Sequence, residues 1–137
     1  MTENRLPLDA LFDAAKKVRD HAHAPYSKFR VGAALHTNTG RLFTGCNVEN
    51  AAAGSGLCAE ASAVAAMVAA GERQIRDILI CADCIHPVLP CGNCLQIIRE
   101  FTHGPVQVYG ADLVSIKVHH TLDSLLPHSF GAHHLAD

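Results

Sequence analysis

Three of the six cysteines in this 137-residue chain constrain its fold more than any other feature, because they fall at the heads of two predicted helices. Cys58-Ala59-Glu60 opens one helix, and Pro90-Cys91-Gly92-Asn93-Cys94 opens the other. The partial positive charge at a helix start favours the thiolate, which is the form that binds metal. Three thiolates suit zinc, which takes four tetrahedral ligands and, in a catalytic site, keeps one position for water. Glu60, two residues from one of these cysteines, reads as a functional residue beside such a site. A first-turn glutamate is otherwise most often an exposed complement to the helix dipole. Spacing alone leaves a second arrangement open. Cys81-Ala82-Asp83-Cys84 with Cys91 and Cys94 could form a four-cysteine structural knuckle in a non-enzymatic or nucleic-acid-binding module. Against it, Cys81 completes an apolar run, and the knuckle leaves Cys58 and Glu60 without purpose.

The length predicts one domain over residues 1–137. An apolar share of 49% with a charged share of 18% is that of a packed core and excludes disorder. A net charge of −2 supplies no general basic field, so neither polymeric nucleic acid nor a membrane is an expected partner. No apolar run reaches the ~20 residues that span a bilayer. Glu3, Arg5, Asp9 and Asp13 break up any apolar core of a signal peptide. The expected compartment is therefore the cytoplasm, where thiols stay reduced and cysteines serve metal binding, catalysis or burial.

Leu8, Leu11, Phe12, Ala15, Val18 and Ala22 recur at helical spacing, with Pro7 suited to a first turn and Pro25 marking the limit. Alternation through Phe29, Val31, Ala33 and Leu35, turn residues Asn38 to Gly40, and an extended run from Leu42 to Val48 predict a hairpin. Ala59 to Ala70 reads as a buried helix stopped by Gly71, and Ile78 to Ala82 as a buried strand. A helix through Leu95, Ile98 and Phe101 ends before Gly104-Pro105. Strands at Val106–Tyr109 and Val114–Val118 and a short helix at Leu122–Leu126 follow, with an irregular tail from His128. This order predicts an α/β fold with one mixed sheet covered by helices.

The paired cysteine motifs resemble the signature of zinc nucleobase deaminases, and specifically the cytidine deaminase family. Ala24-Pro25-Tyr26-Ser27-Lys28-Phe29-Arg30-Val31-Gly32-Ala33-Ala34-Leu35 and Gly45-Cys46-Asn47-Val48-Glu49-Asn50-Ala51 look like that family's substrate-side segments. Leu125 to Gly131 resembles its C-terminal signature. The small homotetrameric branch is the nearer match in length and ligand set. The resemblance implies a three-layer α/β/α fold on a five-stranded mixed sheet, with Zn2+ held by Cys58, Cys91 and Cys94. It implies hydrolytic deamination of a pyrimidine nucleoside, with Glu60 moving the protons. Asn47 and Glu49 would bind the ribose, Phe29 would flank the pyrimidine, and the Ala59 backbone would read the base. Ala51 would lie near a neighbouring site, and Phe130 would reach into a neighbouring subunit's pocket. Read without the resemblance, Asn47 is a turn residue, Glu49 a solvated loop charge, and Phe29 and Phe130 packing residues.

The chain departs from the pattern at four places. Ala61 and Leu95 stand where arginines are usual, so two cations that would offset the charge of a thiolate-bound zinc are missing. Ala53 replaces an aromatic, and Ser55-Gly56 are small, which predicts a wider sugar side and a preference for a modified cytidine-like nucleoside. The missing cations also leave open a protein of this fold that binds nucleosides without turnover. Cys46 and Cys81 read as buried small hydrophobes, Met67, Phe12 and Phe101 as packing residues, and His119-His120 and His133-His134 as surface pairs.

Overall fold

A computed structural model describes residues 8–135. Pro7, the expected first-turn proline, lies outside them. Helix α1 (Leu8–Arg19) carries Asp9 in its first turn and Lys16, Lys17 and Arg19 in its last, which matches the helix dipole at both ends. It stops before Ala22, which is nevertheless buried in the turn that follows. Strands β1 (Val31–Thr37) and β2 (Leu42–Cys46) form the expected antiparallel hairpin. Helix α2 (Ala59–Ala69) begins after Cys58, strand β3 spans Ile75–Ala82, and helix α3 (Gly92–Arg99) begins after Cys91. Strands β4 (Gln107–Ala111) and β5 (Ile116–Thr121) lead into the single turn of α4 (Leu122–Leu125), capped by the Thr121 hydroxyl.

The sheet order is β2-β1-β3-β4-β5, with β3 and β4 parallel and every other pair antiparallel. One face packs Val31, Leu35, Ile78, Ile80 and Val108 against Ala63, Met67 and Ile98 of α2 and α3. The other packs Ala34, Leu79, Cys81 and Tyr109 against Leu11 and Ala15 of α1. The result is the expected three-layer α/β/α arrangement. Among the described residues, no helix is long and apolar enough to cross a membrane.

Two local expectations are corrected. The alternation at Val31, Ala33 and Leu35 predicts one buried face, yet every residue of β1 is buried. The reverse face is made of Gly32, Ala34 and His36, which are too small or too polar to read as core. A Cβ on Gly32 would lie 2.0 Å from the Ala15 carbonyl oxygen, so glycine is what lets α1 close over β1. His36 is buried because Asp77, directly opposite on β3, meets its Nδ1 at 2.9 Å. The second correction concerns the strand expected at Val114–Val118. Asp112 Oδ1 accepts the backbone N–H groups of Val114 and Ser115, which makes a turn there and starts β5 at Ile116.

Gly45 of β2 performs the analogous service for α2. A Cβ there would lie 2.3 Å from the Ala63 nitrogen and 2.6 Å from the Ala59 oxygen, both helix backbone atoms. Gly45→Ala is expected to cost roughly 1–3 kcal/mol of stability and to displace the helix that begins after Cys58. Thermal denaturation with zinc analysis checks this, and an unchanged melting temperature would contradict it.

Candidate metal centre and active site

The site is assembled by a short ladder beside the main sheet. Val48 bridges in parallel to His23 and antiparallel to Leu57, which sets residues 47–49 between the end of the α1 loop and the approach to α2. Val48 and Leu57 exchange both backbone bonds at 2.9 Å, while His23 donates to the Asn47 carbonyl and accepts from the Glu49 N–H. Val48 therefore lies beyond β2, which ends at Cys46 and not at Val48 as the extended run predicts. Phe29 likewise precedes β1, in the loop leading to it.

Cys58 and Cys91 occupy the N-cap positions of α2 and α3, and Cys94 is three residues into the latter. Their sulfurs lie within 4.8 Å of one another. Thiolates about 2.3 Å from a tetrahedral zinc are about 3.8 Å apart, so the donor set and its spacing fit the ion. Among the described residues this is the one cluster of three or more metal-ligating groups. The four-cysteine knuckle is not formed. Cys81 turns to the α1 face of the sheet, where its thiol donates to the Asp112 carbonyl at 3.3 Å.

The expectation that helix starts favour all three thiolates holds for Cys91 alone. The Cys94 backbone N–H pulls the Cys91 thiol below its ordinary pKa. Burial pushes Cys58 and Cys94 up, and the negative charge of Glu60 pushes in the same direction. A zinc held here would bind these sulfurs as thiolates and release their protons.

Glu60, 6% exposed, sits in the first turn of α2, and burial raises its carboxyl above the ordinary carboxylate range. It lines a cavity of about 690 Å³ together with Cys58, Cys91, Cys94, Phe29, Asn47, Glu49, Ala51 and Ala59. Phe130 does not line this cavity. It stands 55% exposed elsewhere on the surface, stacked on His134, with its carbonyl accepting from Gln96. Glu49 Oε1 accepts the backbone N–H groups of Tyr26 and Ser27, and Oε2 accepts the Ser27 hydroxyl. The Ser27 hydroxyl contributes most to holding the Glu49 carboxyl below the ordinary range. Asn47 Oδ1 accepts from the Val31 N–H at 2.9 Å, and its Nδ2 donates to the Phe29 carbonyl at 2.8 Å.

Ala53, Gly56, Leu57 and Val48 complete part of the wall, and no lysine or arginine is among the described lining residues. Leu95, on α3, is buried in the core. Ser27 and Tyr26 were legible in the sequence only as parts of a longer motif, and nothing in their residue types singles them out as lining residues.

A three-thiol cage at two adjoining helix starts, a buried carboxyl beside it and an apolar cavity above them define the class of zinc-dependent hydrolases that act on small molecules. Residues 7–110 match the family described as the cytidine and deoxycytidylate deaminase zinc-binding region. Cytidine deaminase of Sporosarcina psychrophila is 39% identical over 131 residues, covering 96% of each chain. That of Mycobacterium tuberculosis is 42% identical over 112 residues, covering 80% of this chain and 79% of its own. The crystal structure of cytidine deaminase from Burkholderia pseudomallei superposes with a TM-score of 0.86 at 39% identity, covering 91% of this chain and all of that one. The chain belongs to the cytidine and deoxycytidylate deaminase family, whose shared region binds zinc.

Proposed function

We propose that the protein hydrolyses the exocyclic amine of cytidine, deoxycytidine or a substituted cytidine-like nucleoside, giving the uridine-type product and ammonia. The observation that carries this reading is the convergence of Glu60 and three thiols on one cavity with Phe29, Asn47 and Glu49. Its volume is within the range of small-molecule sites. Cys58, Cys91 and Cys94 would hold the zinc, which when bound supplies a Lewis acid that makes water nucleophilic near neutrality.

Glu60 accepts a proton from the attacking water and returns it to the ring nitrogen beside the reacting carbon. A carbon–oxygen bond forms at that carbon as its double bond to the ring nitrogen opens; Glu60 then carries the proton of the new hydroxyl to the amine, and the carbon–amine bond breaks to release ammonia and leave a carbonyl. Burial keeps bulk water from competing for these protons. The Ala59 backbone, next to Glu60, reads the base, and Phe29 flanks the pyrimidine. Glu49 and Asn47 each retain free hydrogen-bonding capacity for the sugar, because their existing bonds fill only part of each group's complement.

Assembly into a homotetramer in the cytoplasm completes this reading, with Ala51 near a neighbouring site and Phe130 supplied across the subunit boundary. The exposure of Phe130 away from its own chain's cavity supports that role. The small side chains of Ala53 and Gly56 on the cavity wall support a preference for substituted nucleosides.

Ammonia release from zinc-loaded protein, measured with cytidine, deoxycytidine, cytosine, adenosine, guanine and several substituted cytidines, tests these points together. Turnover of pyrimidine nucleosides, fastest with a substituted one, is expected. Equal or faster turnover of plain cytidine would overturn the substituent preference. A preference for free bases or purines, or binding without ammonia release, would overturn the assignment.

A further inference from the structure

Glu49 and Phe29 belong to different segments, yet one hydroxyl touches both. The Ser27 Oγ donates to Glu49 Oε2 and accepts the Phe29 backbone N–H at 3.0 Å. The Ser27 backbone N–H adds a further bond to Glu49 Oε1 at 3.1 Å, beside that of Tyr26 at 3.0 Å. An ionised carboxylate has about four acceptor sites, and the loop fills three of them. The remaining site has a fixed direction, because the carboxylate cannot turn about its terminal bond without breaking these contacts. Lys28, between Ser27 and Phe29, has a φ of 63°, and its N–H bonds the Ala24 carbonyl at 3.0 Å, so the loop reverses tightly around the serine. Asn47 holds the Phe29 carbonyl on the far side of that residue at 2.8 Å. Both backbone polar groups of Phe29 are thus tied by side chains, and Ser27 is the one that also fixes the carboxylate.

We propose that Ser27 is a positioning residue for nucleoside binding, whose hydroxyl aims the last open acceptor of Glu49 at a sugar hydroxyl and sets the Phe29 ring in register with it. This rests on the reading that Glu49 and Phe29 meet the nucleoside. The hydrogen bonds of Ser27 go to Glu49 and Phe29 and not to Glu60 or the three cysteines, so the role proposed for it is in binding and not in the chemical step. A serine that merely stabilised the turn would change folding stability without separating KM from kcat.

The test uses zinc-loaded wild-type protein, Ser27→Ala and Ser27→Thr, with Ser27→Gly as a second deletion should the alanine variant fail to fold. KM and kcat for cytidine are read alongside the Kd of uridine, the product, by calorimetry. Loss of the hydroxyl is expected to raise KM and the uridine Kd by about tenfold or more, with kcat within about threefold and zinc content unchanged. Threonine, which keeps the hydroxyl, is expected to restore both constants. Combining Ser27→Ala with Glu49→Gln is expected to add less than about threefold to the effect of Glu49→Gln alone. Unchanged KM and Kd, a fall in kcat at constant KM, failure of threonine to restore binding, or additive effects in the double variant would each overturn the role. Wild-type protein that binds uridine without releasing ammonia from cytidine, deoxycytidine or any substituted cytidine would instead remove the deamination reading, and the uridine constants would still decide the role of Ser27. Wild-type protein that binds neither nucleoside would overturn both.

Discussion

Glu60→Gln is expected to keep its zinc and its fold while ammonia release from the preferred nucleoside falls by roughly 10²–10⁴-fold. Glutamine preserves the size of the side chain, so the first turn of α2 and its packing survive. It cannot accept the proton of the attacking water, nor return one to the ring nitrogen and the departing amine. The site offers no close substitute, since Glu60 is the one buried carboxylate among the described residues lining the cavity. Glu49 is the other carboxylate there, and its bonds to Tyr26 and Ser27 hold it in the loop with one acceptor site left for the sugar in the proposed reading. Nucleoside binding should survive the substitution better than kcat does, because Phe29, Asn47 and Glu49 are untouched. Activity within tenfold of wild type, or loss of zinc from the variant, would remove Glu60 from the proton path.

The second large effect follows from the cage itself. Cys58→Ala is expected to abolish zinc retention through purification and, with it, turnover. Cys58 would be the sole ligand at the start of α2; the other two would come from the start of α3. Its loss leaves two sulfurs, one of them buried and disposed by that burial to stay protonated. Affinity should fall by more than the roughly 10–100-fold that follows loss of an outer partner of a metal ligand. Cys84→Ala and Cys81→Ala should each keep one zinc per chain, although Cys81→Ala loses the bond to the Asp112 carbonyl and some core packing. Metal analysis of the three variants checks the contrast, and zinc retained by Cys58→Ala but lost from Cys84→Ala would reverse it.

The chemistry of this site was more legible in the sequence than the architecture that delivers it. Cys58, Glu60, Cys91 and Cys94 announce themselves because zinc restricts residue type and spacing together, and helix starts carry their own local signals. The hairpin, the buried β3 and the helices were legible for the same local reasons. What spacing cannot show is how distant segments close on one another. The burial of β1 on both faces depends on Gly32 and Ala34, whose smallness invites α1 without registering as hydrophobic pattern. The pairing of His36 with Asp77 depends on the β1–β3 register, which no local signal encodes. The start of β5 was hidden because Val114 has the residue type of a strand but is held in a turn by Asp112. Helix starts suggested three ready thiolates, but burial pushes two of the thiols up, and burial is a property of the assembled core. Asn47 and Glu49, read alone, are a turn residue and a loop charge, and only the resemblance proposes them for a sugar. The way they tie the loop from Tyr26 to Val31 emerges only where Val48 meets His23 and Leu57.

X-ray absorption at the zinc edge of the purified protein, compared with Cys58→Ala and Cys84→Ala, tests the central claim most directly. One zinc per chain with three sulfur neighbours and one light atom is expected in wild type and in Cys84→Ala, with that signature lost in Cys58→Ala. Four sulfur neighbours in wild type, or an unchanged three-sulfur spectrum in Cys58→Ala, would contradict it.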